Sequence, residues 1–185
     1  MKVSHEVPIP YLKESRAFND YDYCLPHLLD ESKEYHSYFQ QSKEMGRYVI
    51  MDNSLHESWL SREYPKETTP VAVVQANNKS EAYSCYNILK IQGYKKIAFS
   101  YGADWYYEEG LKSTPDKSNK FITKAHGRYN TIKEFYKKGI INKFDRIHLL
   151  GCNVPQEFSW YKDIPFIESI DTSNPVIQAA NQQIP

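Results

Sequence analysis

The sequence is poor in the features that define several large classes of protein. It contains 3 cysteines and 7 glycines among 185 residues, and its 23 basic and 23 acidic residues leave no net charge. An odd number of cysteines without a C-x-x-C pair argues against a disulfide framework and a thiolate zinc site. The balanced charge excludes a strong overall attraction to nucleic acid or to an anionic membrane, so any nucleic-acid contact requires a local patch.

Long hydrophobic runs are also missing. No stretch approaches the ~18 to 20 apolar residues of a membrane span, and residues 1–6 lack the apolar core of a signal peptide. We therefore predict a cytoplasmic protein without a membrane partner, folded as one domain over residues 1–185.

The residue spacings that are typical of metal-binding motifs are absent as well. His5 and His56 are each followed by a glutamate, but the sequence has no H-x-H or H-x-x-x-H pair. His148 lies within an apolar run, which is typical of a core histidine. We predict neither a metal nor a cofactor.

Five short apolar runs predict β-strands, at residues 47–51, 71–74, 96–99, 146–150 and 165–170. Runs of this length without alternation indicate strands buried on both faces, as in parallel sheets. Residues 80–92 and 131–138 have helical period and end before Gly93 and Gly139, and Asn78-Lys79-Ser80 is predicted to cap the start of the first of them. The alternation predicts an α/β fold of βα units. Residues 103–130 lack a strong period and are predicted to form a long loop.

Polar residues follow each predicted strand. In βα-repeat folds the loops after the strands collect at one face, where ligands bind. Gln75 offers an amide donor and acceptor for the edge of a heterocycle, and Gly151 lets a ligand approach the backbone. The substrate-binding candidates at these ends are Asn53, Gln75, Asn77, Asp104, Trp105 and Gly151.

Two carboxylates, Asp52 and Asp171, follow the first and last of these strands. A pair of acids at one face is the minimal equipment for chemistry at a glycosidic carbon, because one can attack carbon while the other moves protons. The alternative is that each aspartate begins a turn or caps a helix.

Four of these strand ends together resemble the tRNA-guanine transglycosylase family. The segment "IMDNSLHE" is similar to the family's strand-plus-Asp motif, and "VAVVQANN" is similar to its V-Q-G-G segment. The segment "HLLGCN" resembles its L-x-x-G turn, and "SIDTSNP" lies where the family carries its nucleophilic aspartate. The order of the four matches the family, most closely its compact, zinc-free relatives in bacteriophages.

The resemblance implies a TIM-type (β/α) barrel and an exchange of guanine in DNA or tRNA for a 7-deazaguanine-type base. It implies Asp171 as the nucleophile that forms a covalent intermediate, and Asp52 as the general acid/base. Gln75 and the Gly151 backbone would grip the base. A homodimer is a further expectation, and a viral chain would act in the host cytoplasm.

The sequence departs from the family in three places. Residues 57–69 leave no room for one βα unit, so the barrel is either incomplete or has this unit outside the sequence at hand. The zinc-binding cysteine motif is absent, and Ala76-Asn77 stands where the family has Gly-Gly. Two alternatives therefore stay open: an inactive barrel relative that binds a nucleobase, a nucleotide or a protein partner, and a nucleosidase with water as acceptor.

A polymer substrate would need stacking rings and cations. A base inside a duplex must be flipped out, and aromatic rings of the predicted loop are candidates to hold it. Basic side chains of the same segment are candidates for phosphate contacts, with a solvated loop as the alternative. The rings are Trp105, Tyr106 and Tyr107, and the basic residues are Lys112, Lys117, Lys120, Lys124 and Arg128.

Overall fold

Parallel strands alternate with helices in the computed structural model, which describes residues 1–51, 69–114 and 118–174. The chain divides into two compact units: unit 1 is Thr69–Ile170 with Met1, and unit 2 is Lys2–Thr68 with Asp171–Pro185. The α/β class is therefore confirmed. Asp52 and Asn53 lie outside the described residues.

Unit 1 contains the regular βα repeats. Each strand pairs in parallel with the next along the chain, β4 with β5, β5 with β6, and β6 with β7. The strands are β4 (Val71–Val73), β5 (Lys96–Ser100), β6 (Arg146–Leu150) and β7 (Ile167–Thr172), of which β7 continues into unit 2. The helices are α4 (Lys79–Ile91), α5 (Trp105–Leu111), α6 (Lys120–Lys137) and α7 (Gln156–Tyr161).

Unit 2 is built from shorter elements. Those described within residues 1–51 are β1 (Lys2–His5), a 3-10 turn (Ile9–Tyr11), α1 (Leu12–Ser15), β2 (Asp22–Cys24), α2 (Pro26–Glu31), α3 (Lys33–Glu44) and β3 (Val49–Met51). Strands β2 and β3 pair in parallel. Leu12, Cys24, Tyr35, Tyr38 and Phe39 form the buried core of this unit.

The five-stranded sheet has the order β1-β7-β6-β5-β4. At one edge, the backbone N–H of Glu6 donates to the carbonyl of Thr172 at 3.1 Å, next to β1 and at the end of β7. The chain order of the strands is therefore kept from β4 to β7, and β1 lies beside β7.

Helix α4 confirms its sequence signals. The Asn78 side chain accepts a hydrogen bond from the Glu81 N–H at 2.9 Å and caps the first turn. Gly93 ends the segment at φ +88°, a conformation that glycine adopts without a steric penalty.

The prediction of a long loop over residues 103–130 is wrong. Helices α5 and α6 occupy most of this segment, and α6 covers all but the last residue of the shorter helix predicted at 131–138. A Cβ atom on Gly127 would collide with the backbone of Tyr106, and one on Gly110 with the backbone of Thr123. The two glycines therefore allow the helices to touch backbone to backbone, and they also interrupt the apolar pattern that would have indicated helices.

Candidate functional site

Asp171 lies within β7 rather than after it. The strand was predicted to end at Ile170, but it continues to Thr172 because this residue accepts the hydrogen bond from Glu6. Asp171 is 6% exposed. Burial raises the pKa of the neighbouring Tyr21, and the charge of Asp171 raises it further. The predicted nucleophile is thus a buried carboxylate near the carboxyl end of a parallel strand.

A cavity of about 580 Å³ lies in unit 2. Ser173, two residues after Asp171, contributes to its wall together with His5 and Glu6 from the end of β1. Asp171 itself is not a lining residue. Ligand pockets in proteins commonly hold about 300 to 1,000 Å³, so the space is sufficient for a nucleoside.

A buried carboxylate also belongs to the wall of the cavity. Asp22 lines the cavity, and its two oxygens accept hydrogen bonds from Arg47 at 2.9 and 3.1 Å. The Tyr38 hydroxyl donates to the same carboxylate at 3.0 Å. The hydrogen bond that Arg47 donates to Asp22 raises the pKa of Arg47. A two-pronged guanidinium contact restrains both side chains, so this part of the wall is rigid.

Apolar side chains complete the cavity. Leu12, Leu25, Leu28 and Phe39 line it, and the backbone N–H of Leu25 donates to the Tyr35 hydroxyl at 2.8 Å. Apolar walls with a few placed polar groups are typical of small-molecule sites. Sequence reasoning missed this cavity because the short strands β1 and β2 carry no apolar run.

The other predicted site residues lie in unit 1. Gln75 is exposed after β4, and Asn77 bonds through its backbone N–H and its side chain to Glu81. Asp104 is exposed and pairs with Lys124 at 3.1 Å. Asn77 thus supports the start of α4, and Gln75 remains at the surface.

Gly151 lies where the loops after β5 and β6 meet. Its φ is +72°, and its carbonyl accepts from Arg128 at 2.8 Å. Arg128 also donates to the carbonyls of Phe99 and Leu150, each at 3.2 Å. The guanidinium therefore satisfies carbonyls at the ends of both strands, which joins the predicted Gly151 site to the loop that carries Asp104.

The ion pair with Glu157 offsets the cost of burying the charge of Arg128. Both side chains are 0% exposed, and their closest nitrogen and oxygen lie 2.8 Å apart. Burial alone would lower the pKa of Arg128, but the charge and the hydrogen bond of Glu157, together with the neighbouring Tyr161 and Cys152, raise it by more. The same burial raises the pKa of the nearby Cys152 thiol to about 12, so this cysteine is not a reactive thiolate.

Several of the aromatic and basic side chains predicted to contact a nucleic acid instead interact with other residues of the chain. Trp105 is 8% exposed and contacts Tyr106, with ring centroids 4.1 Å apart. Lys112 pairs with Glu109, and Arg128 is buried. Lys120 is exposed near the ring of Tyr107, while Lys117 lies outside the described residues. In this structure Trp105 and Arg128 do not offer their side chains to a nucleic acid.

Neither a metal-binding cluster nor a membrane-spanning helix is found in the part of the chain that is described. No three His, Cys, Asp or Glu side chains there come together as they would around a metal ion. Among the same residues, no helix combines the length and the apolar character needed to cross a bilayer.

Comparison with family models, with curated protein sequences and with solved structures gives no match. The resemblance to the transglycosylases therefore depends on the four strand-end motifs alone.

Proposed function

We propose that the chain is a nucleobase-exchanging transglycosylase, similar to the tRNA-guanine transglycosylase family, that acts at the N-glycosidic bond of a guanine nucleotide in DNA or tRNA. The position of Asp171 carries the proposal. This buried carboxylate lies on β7, next to the residue that accepts the hydrogen bond from Glu6 and two residues before Ser173 of the cavity wall. Buried acids near strand ends are a common source of nucleophiles in α/β enzymes.

The strand order supports a TIM-type (β/α) barrel as the fold behind this chemistry. From β4 to β7 the strands are neighbours in chain order, and β1 lies beside β7. A closed sheet brings its first and last strands together in this way, whereas a doubly wound sheet reverses its order at a switch point. We propose a barrel that lacks the βα unit for which residues 57–69 leave no room.

The proposed reaction has two displacement steps. An oxygen of Asp171 bonds to the anomeric carbon of the ribose or deoxyribose while the bond to the guanine nitrogen breaks, and that nitrogen takes the electron pair and a proton. The ring nitrogen of the incoming 7-deazaguanine-type base then loses its proton, attacks the same carbon and releases the carboxylate. In both steps the negative charge of Asp171 stabilises the oxocarbenium character of the sugar.

The remaining assignments belong to the same proposal. Asp52 is the general acid/base, and Gln75 with the Gly151 backbone contacts the base. Three free cysteines fit a reducing cytoplasm. The polymer would be held by local basic patches, and two copies of the chain would form a homodimer.

A denaturing gel tests the proposal. The protein is incubated with labelled DNA or tRNA, with and without 7-deazaguanine, and the native chain should form a covalent adduct that the added base discharges. Asp171→Asn should remove the adduct, because an amide is too weak a nucleophile, while Asp52→Asn should slow or trap it. The matched control is Asp163→Asn, an exposed aspartate after α7, which should behave as the native chain does.

Two other outcomes would replace the proposal. Release of free guanine without an incoming base would identify a nucleosidase that uses water. A folded chain that binds nucleotide but neither forms an adduct nor releases guanine would be identified as a binding protein. An unchanged circular dichroism spectrum would show that the chain is folded.

A further inference from the structure

We propose that His5 is a catalytic acid–base residue of the unit 2 cavity, and that Asn19 holds it in the tautomer whose Nε2 exchanges a proton with a heterocyclic base. The proposal rests on the transglycosylase function and adds to Asp52 a second residue that exchanges a proton with the base, so the loss of either one slows the reaction without abolishing it. Both side chains line the cavity. Neither residue belongs to the four motifs that resemble the transglycosylase family.

Asn19 is clamped to the backbone of His5. Its Oδ1 accepts from the His5 backbone N–H at 2.7 Å, and its Nδ2 donates to the His5 carbonyl at 2.9 Å. Only the oxygen can accept from an N–H, and only the nitrogen can donate to a carbonyl. The orientation of the amide is therefore set by two backbone contacts, and it does not depend on the imidazole.

This orientation determines the neutral tautomer of His5. The ring Nδ1 lies 2.9 Å from the same Oδ1, which has no hydrogen to donate. The hydrogen of this contact must therefore reside on Nδ1, and Nε2 is left as the acceptor of the neutral ring. Among the described residues, no atom forms a hydrogen bond to Nε2 of His5, so this nitrogen is available to a ligand.

The imidazole ring of His5 is also restrained by an aromatic neighbour. Phe18 contacts the imidazole edge to face, with centroids 5.3 Å apart and an interplanar angle of 73°. A ring held by one hydrogen bond and one aromatic contact loses little rotational freedom when it transfers a proton, which is the condition for efficient acid–base catalysis.

His5 is also close in the chain to the strand contact beside Asp171. Glu6 and Thr172 form one backbone hydrogen bond, in which the Glu6 N–H donates to the Thr172 carbonyl. His5 directly precedes Glu6, and Asp171, the proposed nucleophile, directly precedes Thr172. When the glycosidic bond breaks, His5 in its protonated form gives the proton of Nε2 to the departing base. When the new base attacks, the neutral ring takes the proton back.

The tautomer is measured first, by nitrogen-15 NMR of the imidazole in the full chain. We expect the Nδ1–H form for neutral His5, and a shift toward the Nε2–H form in Asn19→Ala, which removes the acceptor. Guanosine monophosphate added to Asp171→Asn should move the Nε2 resonance of His5. An Nε2–H form in the native chain, or an Nε2 signal that the nucleotide leaves unchanged, would overturn the proposal without any assay of activity.

The rate of adduct formation is measured second. His5→Asn places an amide near Nδ1 and removes Nε2, so it should keep the contact with Asn19 while adduct formation slows by about 10²- to 10⁴-fold. Added imidazole should restore part of the rate in His5→Gly, which a purely structural role would not allow. If the native chain and His5→Asn form the adduct at equal rates, the role of His5 is refuted and the transglycosylase function is not affected. A native chain without any adduct refutes the transglycosylase and the catalytic role of His5 with it, and the NMR result then decides only the tautomer of His5 and the contact of Nε2 with a nucleotide.

Discussion

Unit 1 and unit 2 use aromatic residues for different purposes. In unit 1, Phe99 stacks on Tyr86 at 5.8 Å and meets Phe135 at 6.3 Å, so the rings fill the space between sheet and helices. In unit 2, Tyr35 and Tyr38 line the cavity of about 580 Å³ and hold their hydroxyl groups in hydrogen bonds. The same residue types therefore make a solid core in one unit and the walls of a space in the other.

The two units also differ in how they bury charge. The Arg128–Glu157 pair of unit 1 is 0% exposed on both sides, whereas Arg47 in the Asp22 pair of unit 2 is 22% exposed. A charge sealed from water cannot turn to solvent if its oppositely charged partner is removed. Regular packing and sealed charges suit a scaffold, whereas a cavity with partly solvated charges suits ligand binding.

Removal of one buried charge should give the largest change in stability. In unit 1, Glu157→Ala leaves Arg128 without its carboxylate, and we expect the free energy of unfolding to fall by about 3 to 5 kcal/mol. In unit 2, Asp22→Ala should cost less, about 1 to 3 kcal/mol, because Arg47 can reach water. Urea unfolding followed by circular dichroism measures both.

A double variant provides the control for this pair. Arg128→Met with Glu157→Leu removes both charges and should recover most of the loss, because no buried charge remains unpaired. A loss in Glu157→Ala no greater than in Asp22→Ala would contradict the contrast between the two units.

Enlarged side chains should distinguish the filled core from the cavity. Ala125 of α6 is fully buried in unit 1, and Ala125→Leu should lower the free energy of unfolding by about 1 to 3 kcal/mol through overpacking. Leu28 lines the cavity of unit 2, where Leu28→Phe has room and should cost less than about 1 kcal/mol. Equal losses in the two variants would mean that the cavity is not open in solution.

The smallest effect is expected from an acid-sensitive ion pair in unit 1. Burial alone would raise the pKa of Asp145, but hydrogen bonds from Lys90, the Asn142 N–H and Tyr86 lower it. A lowered pKa in the folded state adds stability above the unfolded value of about 3.9, and this stability is lost as the pH falls through the folded value. Asp145→Asn should therefore flatten the decrease in stability below about pH 4.

The partner of Asp145 supplies the control for the acid experiment. Lys90 lies 2.8 Å from Asp145, so Lys90→Met should flatten the same part of the pH profile. Urea unfolding at a series of pH values measures this effect. A profile as steep as that of the native chain in both variants would show that this pair does not contribute to acid sensitivity.

The regular part of the fold could be predicted from the sequence because its signals are local. Apolar runs marked all five strands that were predicted, and Asn78 with Gly93 marked the ends of α4. Helices α5 and α6 could not be found in the same way. Gly110 and Gly127 disturb their pattern, and the reason for these glycines is a contact between two segments distant in the chain.

The candidate site depended still more on distant contacts. The extension of β7 through Asp171 requires the backbone of Glu6, which lies at the other end of the sequence. The cavity requires strands β1 and β2 of four and three residues, too short to give a periodic signal. Asp171 was found through its sequence motif, whereas Asn19 became visible only through its hydrogen bonds to His5.

Peptide mapping of the trapped adduct tests the central claim most directly. The native chain is incubated with a guanine-containing DNA or tRNA, denatured and digested with nuclease and protease, and the modified peptide is sequenced by mass spectrometry. The account predicts a sugar bound through an ester to Asp171, and no such modification in Asp171→Asn. An ester on another side chain, or turnover that continues in Asp171→Asn, would contradict it.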